Sequence, residues 1–97
     1  MNQSRVDVEH QPGAGRFRAE VEGTEAELAY RMEEGVMVIT HTRVPDAIGG
    51  RGVAGALTRA AFDHARAGGI RVRPACSYAE AWAGRHPEYA DLVIANG

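Results

Sequence analysis

The chain contains no lysine; all eleven of its basic residues are arginine. A P-loop needs a lysine ahead of its Ser or Thr, so that phosphate site is excluded at once. There is one cysteine, Cys76, which rules out an internal disulfide. The four histidines, His10, His41, His64 and His86, show none of the close Cys/His spacings of a zinc site, and no metal is expected. Nowhere do about 18 apolar residues follow one another, as a membrane-spanning helix requires, and no apolar run stands behind the start, Met1-Asn2-Gln3-Ser4-Arg5. A cytoplasmic protein with no membrane partner is therefore expected. Positive charge in excess is also missing: the net charge is -2, so nothing in the total favours a nucleic-acid partner.

What is present suits a packed globular chain. The 97 residues are 44% hydrophobic and 25% charged, ordinary for one domain over residues 1–97 and too few for two cores side by side. Arg16 to Val21 alternates polar and apolar residues, as does Glu25 to Arg31, with Gly23 supplying the turn. Glu33-Glu34-Gly35 then breaks the pattern before the β-branched run Val36 to Val44. These segments predict an antiparallel meander, with Val6 to Glu9 as a short additional edge strand before the loop Gln11-Pro12-Gly13-Ala14-Gly15. After Pro45 the period changes. Val53, Leu57, Ala60, Ala61 and Ala65 share one helical face until Gly68-Gly69 stops the helix. Ile70 to Pro74 alternates again, and Ser77-Tyr78-Ala79-Glu80 has the form of a capping box that opens a second helix to about Trp82 or Ala83. The predicted fold is α+β, an antiparallel β-meander followed by helix-strand-helix on a mixed sheet, with a three-layer arrangement as the other reading.

The stretch "GGRGVAGAL" at residues 49–57 lies at the strand-to-helix junction. Free backbone N–H groups and the helix dipole converge there on any bound anion, and small residues let it approach. G-x-G-x-x-G matches at Gly50, Gly52 and Gly55, but no acid stands near the ribose-binding position about 20 residues on, which argues against a dinucleotide site. A tight turn with no ligand is the plain alternative.

The wider run resembles a known family. An H-T-x-V-P strand end (His41 to Pro45), a G-x-G-x-(G/A) loop, a P-x-C-x-(F/Y) segment (Pro74 to Tyr78) and an H-P-E-(Y/F) tail (His86 to Tyr89) are similar to the small single-domain GNAT-like N-acetyltransferases over residues 41–93. The resemblance implies a minimal GNAT fold that takes acetyl-CoA or CoA and transfers acetyl to an amine. It implies cofactor contacts from Val44, Gly49, Gly50, Arg51, Gly52, Val53, Ala54, Gly55, Ser77 and Tyr78. Gly49 stands where the family's pyrophosphate motif has Arg, Lys or Gln, so Arg51 is expected to reach the phosphates instead. The resemblance also places His41 close to the strand of Cys76, as a base or as the residue that orients the thiol.

Cys76 falls just before a helix start, where the dipole favours a thiolate, so a cysteine-thioester route is open beside direct attack by the amine. Tyr78, Trp82 and Tyr89 are expected chiefly to fill the core, and His86 to Tyr89 to fix the tail. The expected partners are a small-molecule acyl donor and an unidentified amine, for a monomer or weak homodimer. The alternative is a catalytically weak CoA-binding or interaction module, since the chain leaves little room for an acceptor groove.

Overall fold

The structure, a computed structural model, describes residues 6–96; the Met1–Arg5 start and Gly97 lie outside them. Four antiparallel strands form a meander: β1 (Val8–Gln11), β2 (Arg16–Val21), β3 (Thr24–Glu33) and β4 (Val36–Arg43). The edge strand β1 is displaced from the predicted Val6 to Glu9 and takes in Gln11, where Pro12 ends it. Glu22-Gly23 and Glu34-Gly35 close the two long hairpins, with positive φ at all four residues, the backbone twist that suits a two-residue turn.

A 16-residue helix, α1 (Val53–Gly68), carries the chain to β5 (Arg71–Pro74), which pairs parallel to β4. The sheet order is β1-β2-β3-β4-β5. A short helix, α2 (Ser77–Gly84), and a 3-10 turn, Pro87–Leu92, follow. Val93 then bridges Val72 in parallel, and the Ile94 N–H donates to Val72 O at 2.8 Å. The tail thus adds a strand position beyond β5, and a contact of one residue leaves no period in a sequence to read.

One cluster forms the core. Phe17 and Ala19 of β2, Ala26 and Leu28 of β3, and Met37 and Ile39 of β4 meet Val53, Leu57, Ala61, Phe62 and Ala65 of α1. Ala79, Trp82, Tyr89 and Leu92 belong to the same cluster, with the Phe62 ring centroid 5.3 Å from that of Trp82 and 5.5 Å from that of Tyr89. Both helices therefore cover one face of the sheet, and the domain has two layers. On the other face Arg16, Arg18, Glu25 and Glu27 hold one another in ion pairs, and His41 lies against Glu27.

An irregularity in β4 matters for the site. Tyr30 pairs with Ile39 but its neighbour Ala29 pairs with His41, which leaves Thr40 as an extra residue. Its hydroxyl donates to Ala29 O at 3.2 Å. Such a bulge resets which side chains point to which face of a strand. Ile39 faces the core before it; after it Thr42, opposite Leu28, takes the core face, and His41 the ion-paired one.

Candidate functional site

The glycine loop ends in a helix N-terminus that no side chain caps. Gly52 is the N-cap of α1 with φ 77°, and Gly50 has φ 76°. Both values lie in the left-handed region that a Cβ disfavours, which accounts for glycine at these two positions. The first intrahelical bond of α1 runs from the Ala56 N–H to Gly52 O, so the N–H groups of Val53, Ala54 and Gly55 have no helical acceptor and point out of the helix end. The Val53 side chain is buried in the core, and only its backbone can serve a ligand. Gly49 is in extended conformation at the end of a 3-10 turn, Asp46–Ile48. Arg51 bonds Glu22 of the β2–β3 turn at 3.0 Å, with both side chains well exposed. That bond holds the Glu22 carboxyl below the usual carboxylate range. An exposed pair of this kind is weak.

Cys76 lies where two parallel strands part. Pairing of β4 with β5 ends at Ile39 and Pro74, while β4 continues to Arg43. Ile39 O accepts from both the Ala75 N–H, at 3.0 Å, and the Cys76 N–H, at 3.1 Å. The chain then turns into α2 instead of following β4, leaving Thr40 to Arg43 without a strand partner on that side among the described residues. Cys76 is itself the N-cap of α2: its Sγ accepts from the Ala79 N–H at 3.3 Å. The predicted capping box on Ser77 is therefore displaced by one residue, because the cysteine has the extended backbone of a cap (φ -93°, ψ 148°) and Ser77 is already helical and exposed. The Thr42 hydroxyl lies 3.6 Å from the same sulfur. The half-buried thiol thus has a backbone N–H directed at its sulfur and a hydroxyl within sulfur hydrogen-bond range.

His41 is not brought to Cys76. Its Nε2 lies 3.1 Å from Glu27 Oε2 on the far face of the sheet, and the side chain is 53% exposed. Arg16, and then His41, hold the Glu27 carboxyl below the usual carboxylate range. The bulge at Thr40 is the physical reason: it places Thr42 beside the sulfur and turns its neighbour away. Thr42 beside the sulfur is not foreseeable from the sequence, because nothing in the string marks where a bulge will fall.

Tyr78 and Trp82 of α2 reach α1. A Cβ built on Gly55 would stand 3.7 Å from both the Tyr78 hydroxyl oxygen and Trp82 Nε1. Val44, just past β4, packs against the core; Ala54 is half-buried, its carbonyl accepting from the Thr58 hydroxyl at 2.8 Å. The His86 to Tyr89 motif is structural: His86 stacks on Trp82 with centroids 3.8 Å apart and bonds Trp82 O through Nδ1 at 2.8 Å. The Tyr89 hydroxyl donates to Asp63 at 2.5 Å and accepts from Arg59 at 3.1 Å. Burial, and then Asp63, push that hydroxyl above the usual phenol range. Among the described residues no group of three or more His, Cys, Asp or Glu is placed to hold a metal, and no helix is long and apolar enough to cross a membrane.

The domain is a two-layer α+β sheet with an uncapped helix N-terminus at the start of α1 and a thiol where β4 and β5 part. Residues 16–92 match the model of the GCN5-related N-acetyltransferase family, and the chain belongs to that family. A GCN5-like protein from Staphylococcus aureus, solved by NMR in solution, shares the fold with a TM-score of 0.73 at 25% identity, over 98% of this chain and 94% of that one. Enzymes of the family transfer an acetyl group and generally take it from acetyl-CoA, and the chain is an acetyltransferase by this membership.

Proposed function

We propose that the protein transfers acetyl from acetyl-CoA to an amine through a thioester on Cys76. The donor's diphosphate meets the free N–H groups of Val53, Ala54 and Gly55, with Gly49, Gly50 and Gly52 giving it access and Arg51 exchanging Glu22 for phosphate. Val44, Ser77 and Tyr78 flank the path from there to the sulfur. The observation that carries this reading is the placement of Cys76 Sγ, held by the Ala79 N–H and the Thr42 hydroxyl at the strand parting.

In the first step the Cys76 thiolate adds to the acetyl carbonyl carbon; a carbon–sulfur bond forms to Cys76 and the one to CoA breaks. CoA leaves as a thiolate and takes a proton from water. In the second step the amine nitrogen adds to the same carbon, the amide bond forms, Cys76 leaves as thiolate, and the amine's proton passes to water. The Ala79 N–H stabilises the sulfur each time it becomes negative. His41 has no part in this reading.

The absence of lysine makes the test direct, because the only ordinary amine the protein offers is an α-amino group. Incubation with acetyl-CoA and no acceptor should add one acetyl mass that hydroxylamine removes, on the peptide that carries Cys76. Cys76→Ala should not acquire it. A hydroxylamine-resistant adduct alone, or full amine turnover by Cys76→Ala, would refute the covalent route and leave direct transfer.

A further inference from the structure

Gly55 is hard to explain by conformation. It is the third residue of α1, its φ is not among the positive values, and a glycine inside a helix is unfavourable relative to alanine. Space is the remaining reason for it. A Cβ there would tilt toward the helix N-terminus, into a notch whose two walls are hydrogen-bond donors, the Tyr78 hydroxyl and Trp82 Nε1, each 3.7 Å from that point. Trp82 is 2% exposed, and among the described residues its indole N–H has no acceptor, although its own carbonyl is taken by His86. A buried indole N–H ordinarily finds a partner. Arg59, one helical turn beyond Gly55 on the same face, holds its guanidinium carbon 5.4 Å from the Trp82 ring centroid and brings positive charge to the notch. His86 stacks on the indole and Phe62 packs against it.

We propose that the notch over Gly55 is a phosphate-oxygen subsite, in which the Trp82 indole N–H and the Tyr78 hydroxyl donate to one oxygen of the diphosphate at the α1 N-terminus. Trp82 is then a binding residue as well as a core residue. This rests on the donor reading above but adds contacts that the glycine loop does not supply. An inorganic pyrophosphate presents the same chemistry as the CoA diphosphate and should occupy the notch more weakly.

Trp82 is the only tryptophan, so its indole N–H gives a single resolved peak in a 1H–15N correlation spectrum of the full chain. Saturating CoA should move that peak downfield, pyrophosphate should move it in the same direction, and pantetheine, which has no phosphate, should leave it in place. Gly55→Ala fills the notch at ordinary contact distances, so it should fold with an unchanged or higher Tm while binding CoA at least about tenfold more weakly. Trp82→Phe should also bind CoA more weakly while its glycine-loop amides still respond. If CoA moves the Gly50 and Gly52 amide peaks but not the indole, and Gly55→Ala binds as well as the parent, the subsite is refuted and the donor reading stands. A pantetheine response without a pyrophosphate response would refute the phosphate assignment. If no amide moves with CoA, the donor reading itself fails and the subsite with it.

Discussion

Replacing Gly52 with alanine separates a glycine loop that binds from one that merely turns. Gly52 has φ 77° and a Cβ there would meet nothing within 4 Å, so no clash arises and the cost is that of a left-handed backbone, about 1–2 kcal/mol. For a domain of this size each kcal/mol lowers Tm by roughly 4–8 °C. Gly69 supplies a matched control: it is the C-cap of α1 with φ 69°, again with nothing within 4 Å. It lies at the other end of a 16-residue helix, about 24 Å away. Both variants should lose similar stability in differential scanning calorimetry. CoA at about 100 times its dissociation constant adds about 2.7 kcal/mol to a protein that binds it only when folded, a rise in Tm of 10 °C or more by the same conversion of roughly 4–8 °C per kcal/mol. Gly69→Ala should keep that rise. Gly52→Ala should lose most of it, because the methyl would block the approach proposed for the phosphate. Equal CoA-induced rises in the two variants would refute the reasoning and reduce the loop to a turn.

Other substitutions test other parts of the structure. Phe62→Ala removes a fully buried ring that contacts Trp82 and Tyr89 and should cost about 3–5 kcal/mol in chemical denaturation; a loss below about 1 kcal/mol would contradict a core shared by both helices. His41→Ala should leave the rate of Cys76 acetylation within about twofold, since the imidazole faces away from the sulfur, whereas a fall of 10²-fold or more would return His41 to the chemistry. Tyr89→Phe should lower stability by about 1 kcal/mol, because it breaks the hydroxyl's bonds to Asp63 and Arg59. Burial, and then His64, hold His10 below the ordinary imidazole value of 6.5, so below that pH the unfolded chain binds a proton that the folded protein refuses. Stability should therefore be greatest above about pH 6.5 and fall as the pH drops toward the folded value; His10→Gln should flatten that part of the curve, and an unaltered slope would remove His10 as its source.

The local elements of this protein were legible because each has its own period. Alternation in Arg16 to Val21 and the 3.6-residue repeat of Val53, Leu57, Ala61 and Ala65 need no tertiary contact to be seen, and they returned β2 and α1 nearly residue for residue. The loop glycines were legible too, since positive φ at Gly50 and Gly52 is a property of the backbone itself. The two-layer arrangement was not, because it depends on Phe62, Trp82 and Tyr89 meeting across three elements. Nor was the cap of α2: Ser77 and Cys76 are neighbours, and the double hydrogen bond to Ile39 O decides where the strand ends and the helix begins. The site turns on one extra residue in β4. Thr40 adds no hydrophobic signal, yet by shifting the register at Ala29 and Tyr30 it gives the core face to Thr42 and the outer face to His41. Sequence alone determined that a helix N-terminus and a cysteine would be present; which side chain stands beside that cysteine was decided only by the pairing of β3 with β4, because side-chain direction in a strand depends on register and register is a property of two strands together.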